Sequence, residues 1–564
     1  MVKHSRWRLK PLMPEGQSAA ISGNGLTPLM AQLLYNRGVT DAAGIDSFLD
    51  GDQNLLNDPF LLPDMDKAVS RIYRALLSGE HIAVFGDFDV DGVTATTLLV
   101  EGLSSLGADV VPYIPHRTEE GYGLNDPALA RLRSEGVTLV ITVDCGISAA
   151  PEVETAKGIG LDVVVTDHHT VPPQLPEAVA VIDAKMPDSR YPFTELAGVG
   201  VAFKLMQALY QYLGKHIDMS RFLDLVALGT VADMVSLLGE NRYLVKRGLE
   251  AIHDMPRPGI VELARCAGVP TAAIDAEIIS WYLAPRINAA GRLDHAGVGI
   301  NLLSTDSLDK ARMLADILDK KNTERQQLTE EILRKAREEI GDIRPDVPLI
   351  MVGGEDFHSG VVGVAAGRLV EAYYRPAIVY EKGQEWSRGS ARSIAGFSVV
   401  DAIAECSDIL HRFGGHPMAA GFTVATERLE LLRERLMHIA GRELSAVDIT
   451  PVIDVDAEVS LKSFRGDGYR MMQRLAPFGR DNPYPTFLVK DVSVTDYRTV
   501  GRTGEHLKLK LKDDGITWNG ICFKMGSFIE EVAPRLDLVF NLEVDRWGGG
   551  GTLQLNVLDF APSG

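Results

Sequence analysis

Between Lys67 and Val201 short apolar runs alternate with stretches whose apolar residues recur at helical spacing. The runs are HIAVFGD, ADVVPYI, TLVITVD, LDVVVTD and AVAVID. Strands at intervals of roughly 20 to 30 residues with helices between them predict a parallel α/β sheet. Each run except ADVVPYI ends in Asp, and ligands of open α/β sheets bind beyond the carboxyl ends of the strands, so these acids are expected to face one crevice. Residues 201–300 read as mostly helical. Ser307 to Ile340 is highly charged, free of Gly and Pro, and apolar at helical spacing, which predicts one or two long helices connecting two lobes. A second α/β segment begins at VPLIMVGG and runs to about Ser445. Beyond Asp448, FLVKDVSVTDYRT, LKLKLKDDGITWNGICF, LVFNLEVDRW and TLQLNVLDF predict a small all-β barrel or sandwich, with Gly548 to Gly551 as a hairpin turn. The expected division is an N-terminal helical extension over 1–50, an α/β domain over 51–300, a connecting helix over 301–345, a second α/β domain over 346–450 and a β-barrel over 451–564.

At 46% hydrophobic and 24% charged, the 564 residues have ordinary globular composition. A net charge of −20 should repel nucleic acid unless basic residues are gathered locally. Cys145, Cys266, Cys406 and Cys522 show no C-x-x-C spacing, so neither a disulfide framework nor a thiolate zinc site is expected, and a reducing cytosol fits. The basic start MVKHSRWRLKPLMPEG leads into no apolar run of signal-peptide type, and no stretch of 18 uninterrupted apolar residues occurs. These features point to a cytoplasmic protein with no membrane span.

VFGDFDVDGVTATTLL sets Asp87, Asp89 and Asp91 at alternate positions at the end of a strand. Residues two apart on a strand share a face, so three carboxylates are expected to converge and to need a divalent cation such as Mg²⁺ or Mn²⁺. Asp144 closes TLVITVD, and Asp167, His168 and His169 close LDVVVTDHH. Mixed oxygen and nitrogen donors favour Mn²⁺ over Ca²⁺. Asp233 stands in the apolar LVALGTVADMV, where a buried lone acid is costly unless paired or metal-bound.

Substrate contacts have candidates in several segments. In PHRTEEGYGLN, His116 and Arg117 are expected to reach the crevice, Arg117 forking onto phosphate oxygens. Arg286 and Arg292 flank Asn288 and small residues that allow close approach of a backbone. Ser390, Arg392 and Ser393, with Gly414, Gly415 and His416 in GGHPMAAG, offer hydroxyls and exposed amides for a phosphate, and His358 and Ser359 are placed near the same cleft. From Lys490 to Lys512, six basic residues (Lys490, Arg498, Arg502, Lys508, Lys510, Lys512) outnumber three acids. Tyr497, Trp518, Phe523 and Trp547 lie in or near this stretch, able either to stack on bases, as in single-strand-binding OB-folds, or to fill the barrel core.

In chain order, GDFDVDGVTAT, PHRTEEGYGLN, VDCGIS, TDHH, LAGVGVAFKL, VALGTVADMV, PRINAAGRLDHA, HSGVVGVAAGRL, GSARSI, FGGHPMAAGF and LAPFGRDNPYPTF resemble the motifs of the DHH phosphoesterase superfamily, in particular its single-stranded-DNA-specific exonuclease branch. The resemblance spans about residues 80–490. It implies a two-lobed fold, a parallel-sheet DHH domain and a DHH-associated substrate-binding domain joined by the long helix, followed by an OB-type barrel. It also implies two divalent ions, Mn²⁺ or Mg²⁺, on Asp87, Asp89, Asp91, Asp144, His168 and Asp233, with Asp144 bridging and His169 on the substrate phosphate. Asp89, Asp91, Asp144, His168, His169 and Asp233 are then the catalytic set. Many superfamily members carry a His where this chain has Phe85, so Asp87 stands as the substitute ligand. The Ser390–Ser393 and Gly414–His416 segments would bind the substrate end, and Arg498, Arg502, Lys508, Lys510, Trp518 and Trp547 the single strand. The implied activity is 5′→3′ hydrolysis of single-stranded DNA in repair and recombination, by a monomer working with a single-strand binding protein and a helicase. Two alternatives stand beside it. A phosphodiesterase of short oligonucleotides or cyclic dinucleotides is disfavoured by the extra β domain, and a non-catalytic replication scaffold by the filled acid and histidine positions. Asp183 replaces an Asn expected at the start of the loop after AVAVI.

Overall fold

Each of the five apolar runs forms a strand: β1 His81–Gly86, β2 Asp109–Tyr113, β3 Val137–Val143, β4 Asp162–Thr166 and β5 Ala180–Ile182. They pair in parallel in the order β2-β1-β3-β4-β5. Parallel strands are covered on both faces, which is why the runs are continuously apolar rather than alternating. Helices Met65–Ser78, Val90–Ser105 and Gly198–Tyr212 pack on one face, and Asp126–Ser134 and Ala150–Gly158 on the other. The order reverses at β1, which has β2 on one side and β3 on the other, so a crevice opens beyond the ends of β1 and β3. The helix Leu223–Ala232, mostly apolar and largely buried, lies behind it, with Asp224 in its first turn paired to Arg257 Nε at 2.8 Å.

The computed structural model describes residues 5–14, 26–51, 55–117, 119–215, 218–341, 347–464, 466–545 and 551–564. The chain forms two compact units: Ala43–Arg325 with Arg474–Pro483, and Met1–Ala42 with Gln326–Gln473 and Tyr484–Gly564. One continuous helix, Leu308–Ile340, carries the charged stretch from the first into the second.

In the second unit a five-stranded sheet comprises β6 Ile350–Gly354, β7 Ala377–Glu381, β8 Trp386–Arg392, β9 Leu410–His416 and β10 Ala419–Ala425, ordered β9-β10-β8-β7-β6. Leu432, Leu436 and Ile439 of the helix Leu429–Leu444 pack against Ala391, Ala420 and Phe422 on one face. On the other, the helix Ser359–Tyr373 brings Gly363 against Ser390 and Arg392. The C-terminal strands β11 Phe487–Val500, β12 His506–Asp513, β13 Ile516–Cys522, β14 Arg535–Val544 and β15 Leu553–Pro562 close into a ring, because β14 pairs with both β15 and β11. Of barrel and sandwich, the chain therefore makes the closed barrel, which leaves no free edge.

The N-terminal stretch differs from the expected helical extension. Arg6–Leu9 is a strand paired in parallel with Val452–Val455, and Trp7 donates its indole N–H to Asp559 Oδ2 at 3.0 Å. Helices Pro28–Tyr35 and Ala42–Asp46 follow. The turn expected at Gly548 to Gly551 falls largely outside the described residues.

Candidate metal centre

Asp87 and Asp144 are the first residues beyond β1 and β3, on either side of the switch point. The expected pleat does not gather the other two acids, since the strand stops at Gly86. Asp89 instead caps the helix Val90–Ser105, its Oδ1 accepting from the amides of Asp91 at 2.9 Å and Gly92 at 3.2 Å. Asp91 sits in the first helical turn, and the strand–turn–helix path brings its Oδ2 within 3.8 Å of His168 Nε2, the ring that also meets Asp144. Its two oxygens accept from the amides of Gly198 at 2.6 Å and Val199 at 2.8 Å, the start of the helix Gly198–Tyr212, where helix dipole and free N–H groups favour an anion. Asp144 has a left-handed φ of +59°, a conformation that Asp tolerates. Asp233 comes from a fourth direction, as the C-cap of the helix Leu223–Ala232.

His168 Nε2 lies 3.0 Å from Asp144 Oδ1, 3.6 Å from Asp233 Oδ2 and 3.8 Å from Asp91 Oδ2. Donor atoms of Asp87, Asp89 and Asp144 lie within 4.8 Å of one another, and so do those of Asp91, His168 and Asp233. His168 Nε2 and Asp144 Oδ1 join the two sets, which is the layout of two adjacent cation positions. Asp87 Oδ1 and Asp233 Oδ2 are buried and lack a hydrogen-bond partner, an arrangement that a cation satisfies.

Charge follows burial. Desolvation, with Asp89 adding to it, pushes Asp87 well above the usual carboxylate range, and desolvation with Asp91, Asp89, Asp87 and Asp233 does the same to Asp144. Asp91 rises to about 7 and Asp233 to about 8 for the same two reasons. Burial and neighbouring His169 lower His168 to about 3, so its ring stays neutral, the form that ligates metals. His169 differs: burial opposes its charge, yet the hydrogen bond and charge of Asp167 outweigh it and raise the ring to about 9. Asp167 turns away from the acids. Burial works to raise it, but hydrogen bonds from His169 Nδ1 at 2.7 Å and the amide of Ile147 at 2.9 Å keep it below the ordinary range. The Asp-His-His motif thus holds an orienting acid, a neutral ring among the donors and a cationic ring beside them. Phe85, fully buried and stacked on Tyr113 at 5.0 Å, belongs to the core and not to the crevice.

The remaining candidates divide. Arg117 lies over the Phe88 ring at 4.7 Å, within range of Asp87 and Asp89. The amide of His116 donates to Glu120 at 2.8 Å, shaping the same loop. Asn288 accepts from the amide of Val90 at 3.1 Å, so it anchors the acid-bearing helix instead of facing a substrate. Arg286 is likewise committed, donating to Asp319 at 2.9 Å and the carbonyl of Tyr282 at 2.6 Å. Partly buried Arg292 follows Gly291, whose close approach to the Phe88 carbonyl is the one expected of small residues here. Three contributors are not among the residues that the sequence singles out: Tyr122, Gly198 and Lys185. The Tyr122 hydroxyl donates to the carbonyl of Asp144 at 3.2 Å, and Lys185 Nζ donates to the carbonyl of His168 at 2.5 Å. Tyr122 and Gly198 stand within quoted motifs, whereas Lys185 had no local signal. Asp183, fully buried, accepts from the amide of Lys185 at 2.7 Å and so shapes the loop that delivers this lysine.

In the second unit, Arg392 donates to Ser390 Oγ at 3.1 Å. Strand register aligns Ser390 with Gly421 and Gly414, and Arg392 with Ala419 and His416, on the face away from the core; Gly415 alternates between them. His358 caps the helix beginning at Ser359, accepting from the amide of Gly360 at 3.0 Å. Ser393 is not part of this face, since its buried hydroxyl donates to the carbonyl of Phe397 at 2.7 Å. On the barrel, Lys508, Lys510 and Lys512 alternate with buried Leu507, Leu509 and Leu511, Arg498 pairs with Lys508, and Arg502 is exposed. Trp518 is a correction: opposite Leu511 and only 9% exposed, it fills the barrel. Trp547 lies outside the described residues.

Sequence models of three families match in order: the DHH family, N-terminal domain, over residues 81–230, the DHHA1 domain over 346–441 and the RecJ OB domain over 455–559. The single-stranded-DNA-specific exonuclease RecJ of Bacillus subtilis is 39% identical over 95% of this chain and 68% of its own length, and that of Dickeya dadantii 35% over 94% and 96%. The chain belongs to the RecJ family. The crystal structure of RecJ from Thermus thermophilus in complex with Mn²⁺ matches with a TM-score of 0.85 at 32% identity, covering 99% of this chain and 80% of that one. The Mg²⁺ complex of the same RecJ gives 0.80 at 31% identity, over 99% and 79%.

Proposed function

We propose that this protein hydrolyses single-stranded DNA exonucleolytically with two divalent ions, Mn²⁺ or Mg²⁺, and releases nucleotides in the 5′→3′ direction. The observation that carries this reading is the pair of donor sets joined at Asp144 and His168, at the switch point of the sheet. Asp87, Asp89 and Asp144 would hold one ion, and Asp91, His168 and Asp233 the other. When bound, the ions supply Lewis acidity toward water and the phosphodiester. Asp167 holds His169 as a cation, ready to donate to a non-bridging phosphate oxygen, and Arg117 adds a second cation on the same side. The residues Ser390, Arg392, Gly414, Gly415 and His416 offer hydroxyl, guanidinium, amide and imidazole donors to a strand end, and Arg498, Arg502, Lys508 and Lys510 a track for the phosphates of the strand.

On this reading residues 51–300 are catalytic, 346–450 bind the substrate end and 451–564 bind the strand. The family resemblance supports a monomer acting in DNA repair and recombination in the cytoplasm, beside a single-strand binding protein and a helicase. Among the described residues no helix is long and apolar enough to cross a membrane. Digestion of single- and double-stranded DNA labelled at either end, with Mn²⁺, Mg²⁺ or chelator, tests the function. Release of 5′ label from single strands only, and only with metal, is expected; activity in chelator or equal attack on duplex refutes it.

A further inference from the structure

After Asp233 the chain passes through Met234, whose φ of +58° is left-handed, a conformation that a side-chain-bearing residue keeps only when its surroundings impose it. The surroundings come from far along the sequence. Residues Arg474–Pro483 belong to the unit of Asp233, although the chain on both sides of them belongs to the other. Gly479 and Asn482 exchange backbone hydrogen bonds of 2.9 and 3.2 Å, closing a hairpin. The amide of Leu237 donates to the carbonyl of Arg480 at 3.0 Å, and the Arg480 guanidinium donates to the carbonyl of Met234 at 3.4 Å. A Cβ on Gly479 would lie 2.6 Å from Leu237 Cδ1, so the hairpin presses directly on the loop.

The hairpin has its own foundation. Buried Arg242 donates to the carbonyls of Leu475 at 2.9 Å, Ala476 at 2.8 Å and Phe48 at 2.7 Å, and buried Asn482 donates to those of Leu475 and Pro477. From the opposite side Asn241 donates to the carbonyl of Ser236 at 3.0 Å. The loop 233–238 is therefore held between a helix and a hairpin that is some 240 residues distant in sequence.

We propose that the 479–482 hairpin is a positioning element for Asp233, setting the loop so that this carboxylate meets His168 and Asp91 at one cation position. The proposal rests on the two-cation reading above. The hairpin acts only through the loop, as outer supports of metal ligands do, and loss of such supports typically weakens metal affinity or activity by about 10- to 100-fold.

The test uses the full chain with Gly479→Ala, Arg480→Ala and Arg480→Lys, reading Mn²⁺ binding by electron paramagnetic resonance, melting in chelator, and kcat and KM on single-stranded DNA. In Gly479→Ala one Mn²⁺ is expected to bind as in wild type and the other about tenfold more weakly, with kcat down about tenfold, KM within about twofold and melting little changed. Arg480→Ala, at an exposed residue, is expected to show a smaller effect in the same direction with melting unchanged, and Arg480→Lys to restore most of it. Unchanged Mn²⁺ binding in both Gly479→Ala and Arg480→Ala, or a change confined to KM, overturns the proposal. Wild-type protein that fails to bind two Mn²⁺ overturns the two-cation reading itself.

Discussion

Gly198→Ala isolates how closely the acids are packed. The new Cβ would fall 2.7 Å from Asp144 Cβ and 3.0 Å from Asp91 Oδ2, well inside the 3.4 Å at which ordinary contact begins. Neither neighbour can swing away freely. Asp91 is pinned by the amides of Gly198 and Val199, and Asp144 is held in its left-handed conformation at the end of β3. Relief must come from moving the helix Gly198–Tyr212 or both carboxylates by several tenths of an ångström. Overpacking of this kind costs about 1–3 kcal/mol, and a displacement near 1 Å at reacting groups can cost about 10²-fold in rate. Turnover on a labelled single strand at saturating Mn²⁺ should therefore fall by about 10-fold, short of the roughly 10²-fold of a full displacement of about 1 Å, with a higher Mn²⁺ requirement and a melting temperature lower by a few degrees. Wild-type turnover with an unaltered Mn²⁺ titration would refute the claim that this glycine sets the spacing of the two acids.

Asp89→Ala and Asp144→Asn should fold, as judged by circular dichroism, yet lose nuclease activity by about 10³-fold or more, since each removes a donor to the candidate ions. In chelator, stability should decline with pH. Asp91 and Asp233 hold protons up to about 7 and 8 in the folded chain but release them near the ordinary carboxylate value when unfolded, so their contribution is present at low pH and is lost between roughly pH 4 and 8. Melting curves should show that slope in chelator and lose most of it with Mn²⁺; a flat profile in chelator counts against the buried cluster. Lys508→Ala with Lys510→Ala should weaken single-strand binding and lower its salt slope by about two, whereas Trp518→Ala should cost about 3–5 kcal/mol of stability; filter binding and thermal melting separate the two effects.

Much of the catalytic sheet is legible in the sequence because β1, β3, β4 and β5 are largely buried and leave apolar runs, with Asp87, Asp144, Asp167 and Asp183 marking the ends, whereas the edge strand β2 is only partly buried. Turn geometry is less so. The spacing of Asp87, Asp89 and Asp91 is the same whether they alternate on a strand or wrap into a helix start, and only the amides that Asp89 caps decide between them. Arg286 and Asn288 read as substrate groups because their partners, Asp319 and the Val90 amide, are distant in sequence. Trp518 follows the same alternation that an exposed stacking residue on a strand would, and the pairing with Leu511 is what turns it inward. Arg6–Leu9 is too short to carry a period, so its strand character comes from its partner Val452–Val455.

The membership of Arg474–Pro483 in the catalytic unit has a consequence for how the molecule is made. During synthesis, the segment bearing the DHH acids and histidines is complete long before residue 483 emerges from the ribosome. Until then, the loop after Asp233 lacks the hairpin that grips it. On the positioning role proposed above for the hairpin, the metal centre would reach its final geometry only once residue 483 has been made, and a fragment ending before Arg474 is expected to bind the second Mn²⁺ more weakly than the full chain.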